Sequence, residues 1–180
     1  MYNSLHDISK IRKVAYLILG YESSGTRMLT EVLVRAGIWG QYTHTQEMDD
    51  LIFKGRPNRI VFRRSLPHNR IWPNIVEIIE RIRLTGYQVI PIVIVRDRYA
   101  CARSQVRHKH VETLGEAYDH MNYAAGLILT TLCNYNPIVI AYEKFIDSVE
   151  YRKDFCSLIG IELPKMKFYN ANTKYCKSGS

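Results

Sequence analysis

Residues 89–95 read Val-Ile-Pro-Ile-Val-Ile-Val, an almost unbroken β-branched run. A strand of this kind has no polar face to give to water, so it belongs in a parallel sheet buried on both sides. Three shorter apolar runs repeat the signal: Val14 to Leu19 ending in Gly20, Ile60 to Phe62, and Pro137 to Tyr142. Between them apolar residues recur at helical spacing. Helices are expected over Thr26 to Ala36, stopped by Gly37, and over Pro73 to Leu84, with Ile75, Val76, Ile78, Ile79 and Ile82 inward and Thr85-Gly86 as the stop. Further helices are expected over Tyr99 to Lys109, over Glu112 to Cys133, and over Val149 to Ile159 with Gly160 as cap. The apolar stripe of the long helix is Leu114, Ala117, Tyr118, Met121, Ala125, Ile128, Leu129 and Leu132. Strands alternating with helices imply right-handed βαβ crossovers and a mostly parallel sheet covered on both faces. Pro91 sits near the start of its strand, where a missing donor is tolerable.

With 180 residues and no repeat or composition break, the chain reads as a single domain over 1–180, with a core of about 14–161 and a C-terminal tail of 162–180. A hydrophobic fraction of 47% excludes a disordered or collagen-like chain. The formal charge of +8 favours anionic partners: phosphates, sulfates, nucleic acid or an acidic surface. Cys101, Cys133, Cys156 and Cys176 lack the close spacing of zinc or redox pairs and are read as reduced thiols. Met1 to Lys13 is not followed by a leader-type apolar core, and the expected location is the cytoplasm, away from membranes.

In parallel sheets ligands sit at the carboxyl ends of strands, so the residues following each strand carry the chemistry. After the first comes Gly20-Tyr-Glu-Ser-Ser-Gly-Thr-Arg27, opening a helix. Small residues let backbone amides curl round an anion, and the helix dipole favours it. The glycine spacing is that of a Walker A loop, yet Thr26 stands where that loop has Lys, which argues against a nucleotide triphosphatase. Taken alone, the loop reads first as a Gly-Ser connector that joins strand to helix. After the 89–95 strand, Arg96 offers a guanidinium fork, and Ser104, two helical turns on, offers a hydroxyl to the same anion. Taken alone, Arg96 is equally a partner for Asp97.

Together the two loops resemble the sulfotransferases that use 3′-phosphoadenosine 5′-phosphosulfate (PAPS), nearest the carbohydrate, heparan-type, and bacterial-type branches. The resemblance covers about Val14 to Ile161. It implies that Ser23, Ser24, Gly25, Thr26 and Arg27 hold the phosphosulfate, that Arg96 and Ser104 hold the 3′-phosphate, and that Tyr142, in Tyr-Glu-Lys-Phe145, lies near the adenine. The fold it implies is α/β: a P-loop-type three-layer sandwich with a four- or five-stranded, mostly parallel sheet. PAPS is the expected co-substrate, a small-molecule or glycan hydroxyl or amine the expected acceptor, and no metal is called for.

The departures are specific. Ser23 replaces the cation that many members carry before Ser-Gly-Thr, with Arg27, Arg63 or Arg64 as substitutes; Arg27 and Arg64 are the catalytic candidates. Glu22 replaces a Pro, and its acid beside a polyanion calls for a side chain that faces away or serves as a base. In Arg63-Arg-Ser-Leu-Pro-His68, similar to the cytosolic branch's Lys-Thr-His-Leu-Pro, Ser65 stands at the base position, and His68 is the first candidate base. His44 and Glu47 are held in reserve. His108 and His110 are read as the solvated basic end of a helix. Only Lys177-Ser-Gly179 resembles the family's basic closing loop. Two other readings stand beside the enzyme: a P-loop phosphotransferase, and a non-catalytic binder of nucleotide or nucleic acid, which Ser23 and Ser65 favour.

Overall fold

A computed structural model describes residues 13–42, 57–68 and 70–175. Four strands, β1 (Val14–Tyr21), β2 (Arg59–Leu66), β3 (Gln88–Val95) and β4 (Ile138–Ala141), form one sheet in the order β2-β1-β3-β4. Every pairing is parallel, with Leu17 opposite both Phe62 and Pro91, and Ile92 opposite Ile138. Six helices connect or flank the strands: α1 (Thr26–Arg35), α2 (Ile75–Leu84), α3 (Arg98–Arg107), α4 (Leu114–Tyr135), α5 (Tyr142–Asp147) and α6 (Val149–Leu158). The expected α/β sandwich is present, with four strands among the described residues and a parallel rather than mixed sheet.

Alternation along β1 divides the core. Val14, Tyr16 and Ile18 face α1, α5 and α6 through Leu29, Val32, Leu33, Phe145 and Phe155. Ala15, Leu17 and Leu19 face α2 and α4 through Ile75, Ile79, Ile82, Ala124 and Ile128. Both faces of a central strand are therefore dry, which is why its sequence lacks a polar alternate. Pro91 lies one residue before the stretch of β3 that pairs with β4. At the sheet edge Arg59 fastens β2 to the end of α6, donating to the Tyr16 hydroxyl (2.5 Å) and to the carbonyls of Gly160 (2.9 Å) and Ile159.

Several expectations shift. β2 runs four residues beyond Phe62, carrying Arg63 and Ser65 on the sheet itself. Tyr142 opens α5 instead of closing β4. On α4 the buried face includes Ala124 and Thr131, while Leu129, expected inward, is 59% exposed. A 22-residue helix turns 100° per residue, so a stripe inferred from apolar residues alone drifts off the true contact line. Residues 162–175 pack onto the domain: Leu163, Met166 and Phe168 lie against the α1-side core, and Tyr175 is buried. Cys101 and Cys156 are buried free thiols, pushed up by burial to about 12 and about 11, so they stay protonated; Cys133 is exposed, and Cys176 lies outside the described residues.

Ile92 is fully buried in a central strand, whereas Val139 of β4 is half exposed. Ile92→Ala is expected to cost about 2–5 kcal/mol of unfolding free energy and Val139→Ala less than about 1 kcal/mol, measured by denaturant titration.

Candidate functional site

The chain leaves β1 toward β2 on one side and places β3 on the other, so the strand order switches between β1 and β3. Loops diverge at such a point and leave a crevice at the carboxyl ends of the strands. A cleft of about 640 Å³ lies there, walled by the β1–α1 loop, the end of β2, the β3–α3 junction and residues 166–171.

The β1–α1 loop is wound tightly. The Ser24 amide donates to the Tyr21 carbonyl (3.0 Å), Ser23 has φ 69° and Gly25 φ 104°. Gly25 is obligatory on two counts: its φ lies in the left-handed region, and a Cβ would stand 2.7 Å from the Tyr142 ring. Asn74, Asp97, Thr113 and Ser148 cap α2, α3, α4 and α6 with side-chain oxygens, while α1 and the short α5 have no side-chain cap. The first-turn amides of α1 and the positive end of its dipole border the cleft.

Arg96 is buried where β3 ends. Its Nη1 donates to the Ser23 carbonyl (2.6 Å), its Nε to Asn172 Oδ1 (2.7 Å), and its guanidinium lies 4.6 Å from the centre of the Tyr142 ring. Asn172 in turn donates to Glu143 Oε1 (2.8 Å), and the Tyr142 hydroxyl donates to the Tyr169 carbonyl and accepts from the Ala171 amide. Arg96 Nη2 is buried without a hydrogen-bond partner among the described residues. A cation with one unspent donor beside a cleft is a socket for an anion's oxygen.

Of the residues expected from the sequence, the structure brings Ser23, Gly25, Thr26, Arg27, Arg96, Ser104, Tyr142 and His68 to this one cleft. Two are not among its lining. Ser24 is fully buried, with its Oγ where a Cβ on Gly20 would come within 2.4 Å and without a hydrogen-bond partner among the described residues. Arg64 follows the alternation of β2 away from the cleft, and it is Arg63 that lines the wall. His44, Glu47 and Lys177 to Gly179 lie outside the described residues.

Arg63, one of the substitute cations, lines the cleft; so do Lys167, which the sequence reading did not name, and the imidazoles of His108 and His110, which it set at the solvated end of a helix. Burial, together with Arg27 and Arg64 nearby, pushes Arg63 below its ordinary value. That crowding of cations is relieved by a bound anion. His68 Nδ1 lies 3.1 Å from Ser65 Oγ, so the serine at the expected base position is the imidazole's partner. His110 Nδ1 lies 3.3 Å from Glu22 Oε1. Burial raises Glu22 above the ordinary carboxylate value, opposed by His120, and lowers His110 below the ordinary imidazole value, helped by Arg70. His110 escaped notice because its partner is 88 residues away in sequence, and spacing alone signals only local faces.

No family model and no curated protein matches the chain. Solved structures do. A sulfotransferase domain from the olefin synthase of Synechococcus PCC 7002 aligns with a TM-score of 0.60 at 13% identity, covering 94% of this chain and 79% of that one. Mouse sulfotransferase SULT7A1, complexed with PAP, aligns with a TM-score of 0.54 at 19% identity, covering 86% of this chain and 60% of that one. The chain therefore spans about three fifths of the mouse protein's length. The fold of the chain is similar to that of these two sulfotransferase structures.

Because Glu22 is raised in the folded state, its ionisation costs stability as pH climbs from below the ordinary carboxylate value through the raised one, and the loss persists at neutral pH. Glu22→Gln is expected to melt above the parent at pH 7, with the difference vanishing near about pH 3, where both side chains are neutral; calorimetric melting at the two pH values measures it.

Proposed function

We propose that the protein transfers a sulfuryl group from PAPS to a hydroxyl or amine acceptor. The observation that carries this reading is the convergence of the uncapped end of α1, Ser104 and Arg96 on one cleft. The sulfotransferase fold supports it, as does a volume within the range of nucleotide-sized pockets.

The residues fit the nucleotide. Backbone amides from Ser23 to Arg27 and the Thr26 hydroxyl would hold the 5′-phosphosulfate, Arg96 and Ser104 the 3′-phosphate, and the Tyr142 side of the cleft the base. PAPS supplies an activated sulfuryl group and a phosphate leaving group. Arg27 and Arg63 take the place of the missing cation at Ser23: both line the cleft, and each places a guanidinium where negative charge grows on departing oxygens. Holding donor and acceptor in line is the remaining contribution, as in phosphoryl transfer. The acceptor side is the wall of β2 and the α3 end, with His68, the expected base, paired to Ser65. A carbohydrate acceptor and a cytoplasmic location complete the reading; no helix among the described residues is long and apolar enough to cross a membrane.

Titration calorimetry with 3′-phosphoadenosine 5′-phosphate (PAP) against ATP, ADP and AMP tests the donor site. Preference for PAP is expected, weakened about tenfold or more by Ser104→Ala, since a hydrogen bond to a charged group is worth about 1.5–3 kcal/mol. Arg96→Ala should abolish binding and also lower the melting temperature, because Arg96 holds Ser23 and Asn172. Tight ATP binding, or no nucleotide binding, rejects the reading.

A further inference from the structure

Glu22 and His110 are brought together by a single residue. Gln105 on α3 donates from Nε2 to the Glu22 carbonyl (3.0 Å), while its own backbone carbonyl accepts from the His110 amide (3.0 Å). The second bond closes the end of α3: Lys109, with φ 58°, occupies the left-handed position, its amide reaches the Val106 carbonyl, and the chain reverses so that His110 turns back on the β1–α1 loop. On the other side the Glu22 amide donates to the Leu66 carbonyl (3.3 Å). The Glu22 side chain is about nine-tenths buried, and His110 remains about one-third exposed, on the wall of the cleft.

We propose that His110, oriented by Glu22, is the group that removes the acceptor's proton, with the Ser65–His68 pair positioning the acceptor beside it. This rests on the sulfotransferase reading of the same cleft. A carboxylate within ion-pair distance of Nδ1 (3.3 Å) favours the proton on that nitrogen, which leaves the Nε2 lone pair to accept a proton. In the step, the acceptor O–H bond breaks and its proton passes to His110 Nε2. The oxygen's electron pair forms the new bond to sulfur, and the bond from sulfur to the nucleotide phosphate oxygen breaks, its electrons leaving with PAP. The imidazolium then releases its proton to solvent. A buried carboxylate that costs stability, in a loop built to hold anions, is accounted for by this orienting role.

His110 is the residue in contact with substrate, and Glu22 acts through it. The groups facing the pair are His120 of α4 on Glu22, and Arg70 after β2 and His108 of the same turn on His110. The test uses the full chain with PAPS as donor and water as acceptor, following release of inorganic sulfate, alongside PAP calorimetry and nitrogen-15 imidazole NMR. His110→Gln is expected to bind PAP within about twofold of the parent and to lose about 100-fold in desulfation, the scale of a general base. Glu22→Gln is expected to lose less, to move the pH profile of desulfation, and to shift the His110 spectrum from the Nδ1-protonated form toward a mixture; Glu22→Asp should restore part of both. Parental desulfation in His110→Gln overturns the proposal, as does an Nε2-protonated His110 in the parent, or PAP binding without desulfation in the parent. Failure of the parent to bind PAP overturns the sulfotransferase reading itself, a result the other outcomes do not give.

Discussion

Everything at the mouth of the sheet is organised by one buried guanidinium. Among the described residues no carboxylate forms an ion pair with Arg96; it is held by the Ser23 carbonyl, the Asn172 amide oxygen and the face of Tyr142, and Glu143 is linked to it through Asn172. A buried cation so placed carries a desolvation cost that neutral dipoles offset incompletely. Its spare donor therefore gives any anion in the cleft a gain that water in the unfolded chain cannot match. The planar fork is what allows three directions to be served at once; a lysine's ammonium carries no planar array of five donors and could not stack on Tyr142 in the same way.

The same economy of parts is visible on the acceptor side. One glutamine steadies both the loop that bears Glu22 and the turn that bears His110. The left-handed Lys109, at a position where glycine is usual, makes that turn possible and carries strain of the sort that collects near functional sites. Ser65 is one residue short of the end of β2, so the imidazole it contacts is held against a strand rather than a free loop.

How much of this could be read from the sequence follows from the range of the interactions. Elements defined by local periodicity were legible: β3 from its β-branched run, α1 from Thr26 to its Gly37 stop, and the loops after β1 and β3 from residue type and spacing. What depends on which side of an element faces which neighbour was not. Arg63 and Arg64 are adjacent and chemically identical, and only the pleat of β2, which extends beyond the apolar run, decides which one meets the cleft. Ser24 sits between residues that line the cleft, yet the curl of the loop buries its side chain. Glu22 with His110, and Arg96 with Asn172, are separated by 88 and 76 positions, and no pattern within a window can pair them. Leu129 shows the converse error, an apolar side chain left on a surface because the helix had already turned past the core.

The donor cleft draws its floor from residues 20–27 and part of its wall from residues 166–171, with Asn172 reaching in behind. As the chain emerges from a ribosome, the β1–α1 loop is made early, but its guanidinium brace lacks the second anchor until the 171–174 turn follows. Nascent fragments that stop short of that turn present the glycine loop without the socket. An anion that uses both parts of the cleft therefore stabilises the chain only after residues 171–174 have joined the fold.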